Sequence, residues 1–172
     1  MITNFETNEA LAEKKLLRRI RRWLAAFMIL LIISGITASP VLAELSFAMQ
    51  HKNWFPEFMQ EWLVNIYTAL QDIDQEHPYV FYAFDWLAFA HVIIALFFIG
   101  VYKNPVQNAW VLRTGMIACI AIIPLAFIAG GIREIPWFWR LIDCSFGVFG
   151  IIPLLLVERL TGKLKIIKTA NA

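Results

Sequence analysis

The sequence predicts an all-α integral membrane protein: a four-helix transmembrane bundle with an extra amphipathic interfacial helix in its first outer loop. Three observations carry that expectation. Of the 172 residues, 60% are hydrophobic and 16% charged, where a soluble domain carries roughly a quarter charged residues. The charges gather in a few stretches and leave four apolar runs near the roughly 20 residues that cross a hydrocarbon core at about 1.5 Å per residue. A backbone in lipid has no water to bond, so those runs close their own hydrogen bonds as helices. Such a composition excludes a disordered chain, a disulfide scaffold and an ordinary cytosolic enzyme.

The elements follow in order. Residues 1–22 form a basic cytoplasmic tail in which Leu11, Leu16, Leu17 and Ile20 alternate with six cations between Lys14 and Arg22. That pattern predicts a helix along the inner headgroups feeding the first span. It is suited to anchoring topology, or in a sharper reading to sensing lipid or a partner. The first span, Trp23 to Ala43, ends in TASPVLA, which also resembles a leader cleavage site after Ala43. Its apolar run is longer than a leader core, and a long polar region precedes it, so it is read as a retained span.

In the loop from Glu44 to Tyr79, Pro56 precedes Phe58, Met59, Trp62, Leu63, Ile66, Leu70 and Ile73 at spacings of three and four. This periodicity predicts an amphipathic helix over about residues 56–74, lying on the outer interface or as a lid over the bundle. The second span, Val80 to Tyr102, is followed by a tight turn in which Asn104 is expected to cap and Pro105 to open the third span, Trp110 to Ala129. A short loop leads to the fourth span, Trp139 to Val157, and residues 158–172 form a basic C-terminal tail. Spans one to four and their loops read as a single transmembrane domain over residues 23–157, without internal repeat.

Positive charge predicts the orientation. With both termini in the cytoplasm, the inner segments hold twelve cations, from Lys14 to Lys168, and the outer segments three, namely Lys52, Arg133 and Arg140. The first outer loop is acidic instead, with Glu44, Glu57, Glu61, Asp72, Asp74 and Glu76.

Ionisable residues inside spans are costly and so point to a site. Counted inward along the helices, Asp85, Arg133, Glu134, Arg140 and Asp143 fall in the same outer third. Arg140 and Asp143, three apart, can meet on one helix face, and Arg133 is a natural counter-ion for Asp85. His91 lies deeper and is the single His within a span. It could accept a proton from Asp85 or simply hydrogen-bond a neighbouring helix. Gly35 with Ser39, and Asp143 with Gly147 and Gly150, mark faces where helix backbones approach.

No cofactor is expected. Haem between facing helices needs two His at bundle depth, and His51 and His77 sit in the loop. Cys119 and Cys144 differ in depth and form no C-x-x-C. P-loop, zinc, nucleophile-elbow and dinucleotide patterns are missing, and no nucleic-acid partner is expected.

The strings FDWLAFAH (Phe84 to His91), GMIACIAIIPLAFIAG (Gly115 to Gly130) and IPWFWRLIDCSFGVFGIIPLL (Ile135 to Leu155) resemble an uncharacterised family of small bacterial multi-pass inner-membrane proteins. The resemblance, over roughly residues 20 to 157, implies an inner-membrane location and transfers no activity, cofactor or residue role. The function expected from the charges is non-enzymatic binding of a lipid, a small solute or a partner subunit through the outer cluster. The alternatives are a small membrane enzyme acting on a lipid or quinone with Asp85 and His91 as acid and base, and a cluster that only staples helices.

Overall fold

The computed structural model describes residues 2–170, and among them every regular element is helical. The helices are α1 (Ile2–Ala38), α2 (Val41–Gln50), α3 (Glu57–Glu76), α4 (Tyr82–Lys103), α5 (Ala109–Ile132) and α6 (Trp137–Ala170), with single tight turns at Lys52–Trp54 and Pro78–Phe81. Four segments are long and apolar enough to cross a membrane: Ala10–Ala38, Pro78–Lys103, Ala109–Ile132 and Trp137–Thr169. Only 11% to 22% of the residues in the most apolar window of each are buried inside the protein. The remaining apolar faces, including Ile33, Trp86, Phe97, Ile117, Phe127 and Phe149, point outward. Such a surface is compatible with a lipid solvent and not with water.

One expectation about α1 is corrected. The first span was placed through to Ala43, but α1 ends at Ala38 and the chain turns at Ser39 and Pro40 before α2 begins. Proline has no N–H to continue the ladder and disfavours helical backbone in the residue before it. The basic tail was expected to be helical and to feed the first span, and α1 runs unbroken from Ile2 through Trp23 to Ala38. Nothing in residues 2–34 interrupts it, since the first Gly is Gly35.

The chain divides into two compact units, Met1–Ile29 with Leu96–Ala172, and Leu30–Ala95. In the larger unit the buried core draws Ile20 and Leu24 from α1, Phe98 and Val101 from α4, Val111 and Leu112 from α5, and Leu154, Val157 and Leu164 from α6. Helix α6 therefore carries its apolar face well past the expected end of the fourth span. It covers the tail's own apolar side, and Lys168 Nζ meets Glu13 at 3.5 Å. Thr161 is the polar exception in this core: it is 4% exposed and its hydroxyl finds no hydrogen-bond partner.

Close backbone approach joins α5 to α6. A Cβ on Gly147 would collide with the Cys119 carbonyl oxygen, and one on Gly150 would lie 3.2 Å from Cys119 Sγ. Between helices in lipid there is no hydrophobic reward, so association rests on such small-residue contacts and the dispersion they permit. Gly115 receives Phe98, whose Cζ would stand 2.8 Å from an added Cβ. At the α4–α5 turn, Asn104 does not cap. Instead Asn108 Nδ2 donates to the carbonyls of Gly100 and Asn104, both at 3.0 Å, adding a second bond to acceptors that already take the Asn104 and Asn108 N–H groups.

In the smaller unit α3 matches the expected amphipathic helix and packs against α2, with Leu45 and Leu63 buried. Pro56 precedes its first residue, and Gln60 Nε2 donates to the Phe55 carbonyl at 2.8 Å to hold the start.

Gly147→Ala is expected to lower stability by about 1–3 kcal/mol, because the new methyl meets a backbone carbonyl that cannot rotate away. Thr161→Val, of similar volume, is expected to raise it by about 1 kcal/mol by removing a buried hydroxyl without a partner. Thermal unfolding followed by circular dichroism in one detergent checks both signs.

Candidate functional site

The ionisable residues marked by the sequence fall into both compact units, and each group is described within its own. In the smaller unit, Ser39 Oγ donates to Asp85 Oδ1 at 2.6 Å. Six residues further along α4, His91 Nδ1 bonds the Leu87 carbonyl of its own helix at 2.7 Å. The His91 ring stands on Gly35, where an added Cβ would lie 2.6 Å from His91 Cβ and 2.8 Å from the Ala88 carbonyl oxygen. Gly35 and Ser39, four residues apart, thus receive α4 as a backbone contact and a hydrogen bond. Asp85 is exposed and bonds Ser39, while His91 is half-buried and bonds Leu87, so the two have separate partners.

In the larger unit, Arg133, Glu134, Arg140 and Asp143 gather around the α5–α6 turn. Helix α5 ends in a Schellman arrangement: Ile135 N–H donates to Gly130 O at 2.8 Å and Glu134 N–H to Gly131 O at 3.3 Å. Glu134 occupies the left-handed position of that turn with φ 57°, where glycine is the usual residue. Arg140 folds back over the turn. Its Nε donates to Ile135 O at 2.6 Å, and its aliphatic stem lies where a Cβ on Gly130 would come within 3.1 Å of Cγ. The expected pairing of Arg140 with Asp143 is therefore corrected: the guanidinium is engaged by a backbone carbonyl, and no ion pair joins the two.

Arg133 and Asp143 share a groove of about 290 Å³ between α5 and α6. Its walls are Ile122, Leu125, Ala126, Ala129, Gly130 and Ile135. Asp143 lies one turn before Gly147 on the same face, so the contact that seats α6 on Cys119 also presents its carboxylate toward α5. Asp143 is half-buried, whereas Arg133 and Glu134 are exposed. Among the described residues the Asp143 carboxylate makes no hydrogen bond or ion pair. A small apolar groove with one cation and one anion on its wall is suited to a small amphipathic molecule, its volume falling just under the roughly 300–1,000 Å³ typical of ligand sites. Among the described residues no cluster of three His, Cys, Asp or Glu could hold a metal ion.

Sequence reasoning missed the α5 wall of this groove. The signal was present in the small residues Ala126, Ala129 and Gly130 at spacings of three and four, the pattern recognised on α1 and α6 but not applied to α5.

Glu134→Gly is expected to raise thermal stability by about 1 kcal/mol, since relief of the left-handed backbone outweighs the entropy glycine adds to the unfolded chain. Scanning fluorimetry of the purified pair measures it. Among known proteins, no family model, curated protein or solved structure matches the chain.

Proposed function

We propose that this protein is a non-enzymatic, multi-pass component of a bacterial inner membrane, with both termini in the cytoplasm. It binds a small amphipathic molecule, a lipid or a solute, in the α5–α6 groove. The observation that carries the reading is the groove itself. Its walls are apolar, it is about 290 Å³ in volume, and two ionisable side chains, Arg133 and Asp143, lie on it without an ion pair to each other. Asp143 lies inside a span with no hydrogen bond or ion pair among the described residues, and such a group is a candidate ligand contact. The orientation rests on the twelve-to-three division of cations, which places the α5–α6 turn on the outer side.

Asp85 and His91 act in this reading as helix staples. What supports it is the 2.6 Å bond from Ser39 and the seating of His91 on Gly35. Polar and small-residue contacts between helices of this kind hold neighbouring spans together.

Mass spectrometry of protein purified in a mild detergent is expected to recover one bound small molecule near stoichiometry. Ala129→Phe, which fills the groove, is expected to abolish recovery. Asp143→Asn is expected to weaken it about tenfold, the scale of one hydrogen bond to a charged group. Equal recovery from wild type and Ala129→Phe contradicts the reading.

A further inference from the structure

The opposite end of the larger unit carries a second, chemically different surface. Arg19 and Trp23 from α1 and Leu156, Arg159, Leu160 and Lys163 from α6 line a groove of about 420 Å³. Its polar lining is entirely cationic. The carboxylates nearest in sequence are engaged elsewhere: Glu158 with Arg113 at 3.4 Å and Glu13 with Lys168 at 3.5 Å. Arg19, Arg159 and Lys163 are exposed, and among the described residues they make no ion pair.

Depth along the helices decides what such a groove can meet. Trp23 opens the apolar run of α1, and Arg159 and Lys163 follow Val157, where the apolar run of α6 ends. The three cations therefore stand at headgroup level, and Trp23, Leu156 and Leu160 continue from them toward the hydrocarbon. Tryptophan favours that interface, and long cationic side chains there place their charge among the phosphates. A ligand matching this order has an anionic head and an apolar tail.

A second basic groove, of about 410 Å³ on the α4 side of α1, holds Lys14, Arg18, Arg21 and Arg22 with Leu17, Ala25 and Tyr102. Its Arg21 is already occupied, donating from Nε to the Tyr102 carbonyl at 3.3 Å and lying 5.4 Å from that ring's centroid. The α1–α6 groove differs in combining its three cations with Trp23, Leu156 and Leu160, which continue toward the hydrocarbon.

We infer that the α1–α6 groove is a binding site for an anionic phospholipid of the surrounding membrane. The phosphate lies between Arg19, Arg159 and Lys163, and an acyl chain runs along Trp23 and Leu156. The site is separate in residues and chemistry from the α5–α6 groove, and it stands on whichever face the basic end occupies.

The test uses detergent-purified full-length protein titrated with short-chain phosphatidylglycerol, phosphatidylcholine or inorganic phosphate, read by native mass spectrometry and by the shift in melting temperature. Phosphatidylglycerol is expected to bind saturably at one site and at least about tenfold more tightly than phosphatidylcholine. The double variant Arg159→Gln with Lys163→Gln is expected to weaken it about 25-fold, from roughly fivefold per cation at a membrane surface. Lys103→Gln with Lys165→Gln removes the same charge outside both grooves, and its affinity is expected to stay within about twofold, as for a screened exposed charge. Equal binding of the two phospholipids by wild type overturns the inference, and that comparison needs no variant. So does equal weakening by the two double variants, which would mean general attraction without a groove. A stabilisation by inorganic phosphate matching that of phosphatidylglycerol also overturns it, since the acyl chain would then contribute nothing.

Discussion

The contact between Gly147 and the Cys119 carbonyl is the constraint on which the rest of the larger unit depends. In water, the outward-facing Ile117, Phe127 and Phe149 would drive association by themselves. In lipid they are already solvated, and helices adhere only where their surfaces fit. A glycine opposite a backbone carbonyl lets α6 settle on α5 at a distance that any side chain would prevent. Gly150 against the Cys119 sulfur and Phe98 against Gly115 extend that fit toward the core of Leu112, Leu154 and Val157.

The same approach produces the groove. One turn before Gly147, Asp143 is held against a wall of Ile122, Leu125 and Ala126, and the short turn after α5 brings Arg133 to the same space. The turn is built from backbone bonds and is clamped by Arg140, whose Nε takes the Ile135 carbonyl. With that guanidinium engaged, Asp143 keeps its carboxylate available. Glu134 stays in a left-handed conformation that glycine would adopt without strain, a cost tolerated at a site more readily than in a connector. Function here is proposed from what the packing leaves unpaired.

Much of this fold was legible in the sequence because lipid demands length and apolarity, and both are counted directly. The four spans, the amphipathic helix from Glu57 and the short α5–α6 connection follow from that demand. The break at Ser39 and Pro40 was not, since a proline in an apolar run can kink a helix or end it, and the choice depends on what the following residues pack against. Nor was the packing partner of the basic tail, because the spacing of Leu16, Leu17 and Ile20 does not say that Leu164 of α6 shares their core. The candidate site was legible as a set of residues and not as a set of pairs. A spacing of three says that Arg140 and Asp143 can meet, but not that the Ile135 carbonyl is the better-placed acceptor. Asp85 likewise takes the hydroxyl of Ser39, a residue read from the sequence as a small packer.

The register of α5 against α6 is most directly measured by a thiol. Cys119 Sγ stands 3.2 Å from the position a Cβ would take at Gly150, close enough for a disulfide with little movement. In a Cys144→Ser background, Gly150→Cys should lose two thiols within one chain on mild oxidation. It should do so far faster than Phe149→Cys, at a position that is 70% exposed. Equal rates for the two variants would contradict the close packing of α6 on α5, and with it the groove that packing forms.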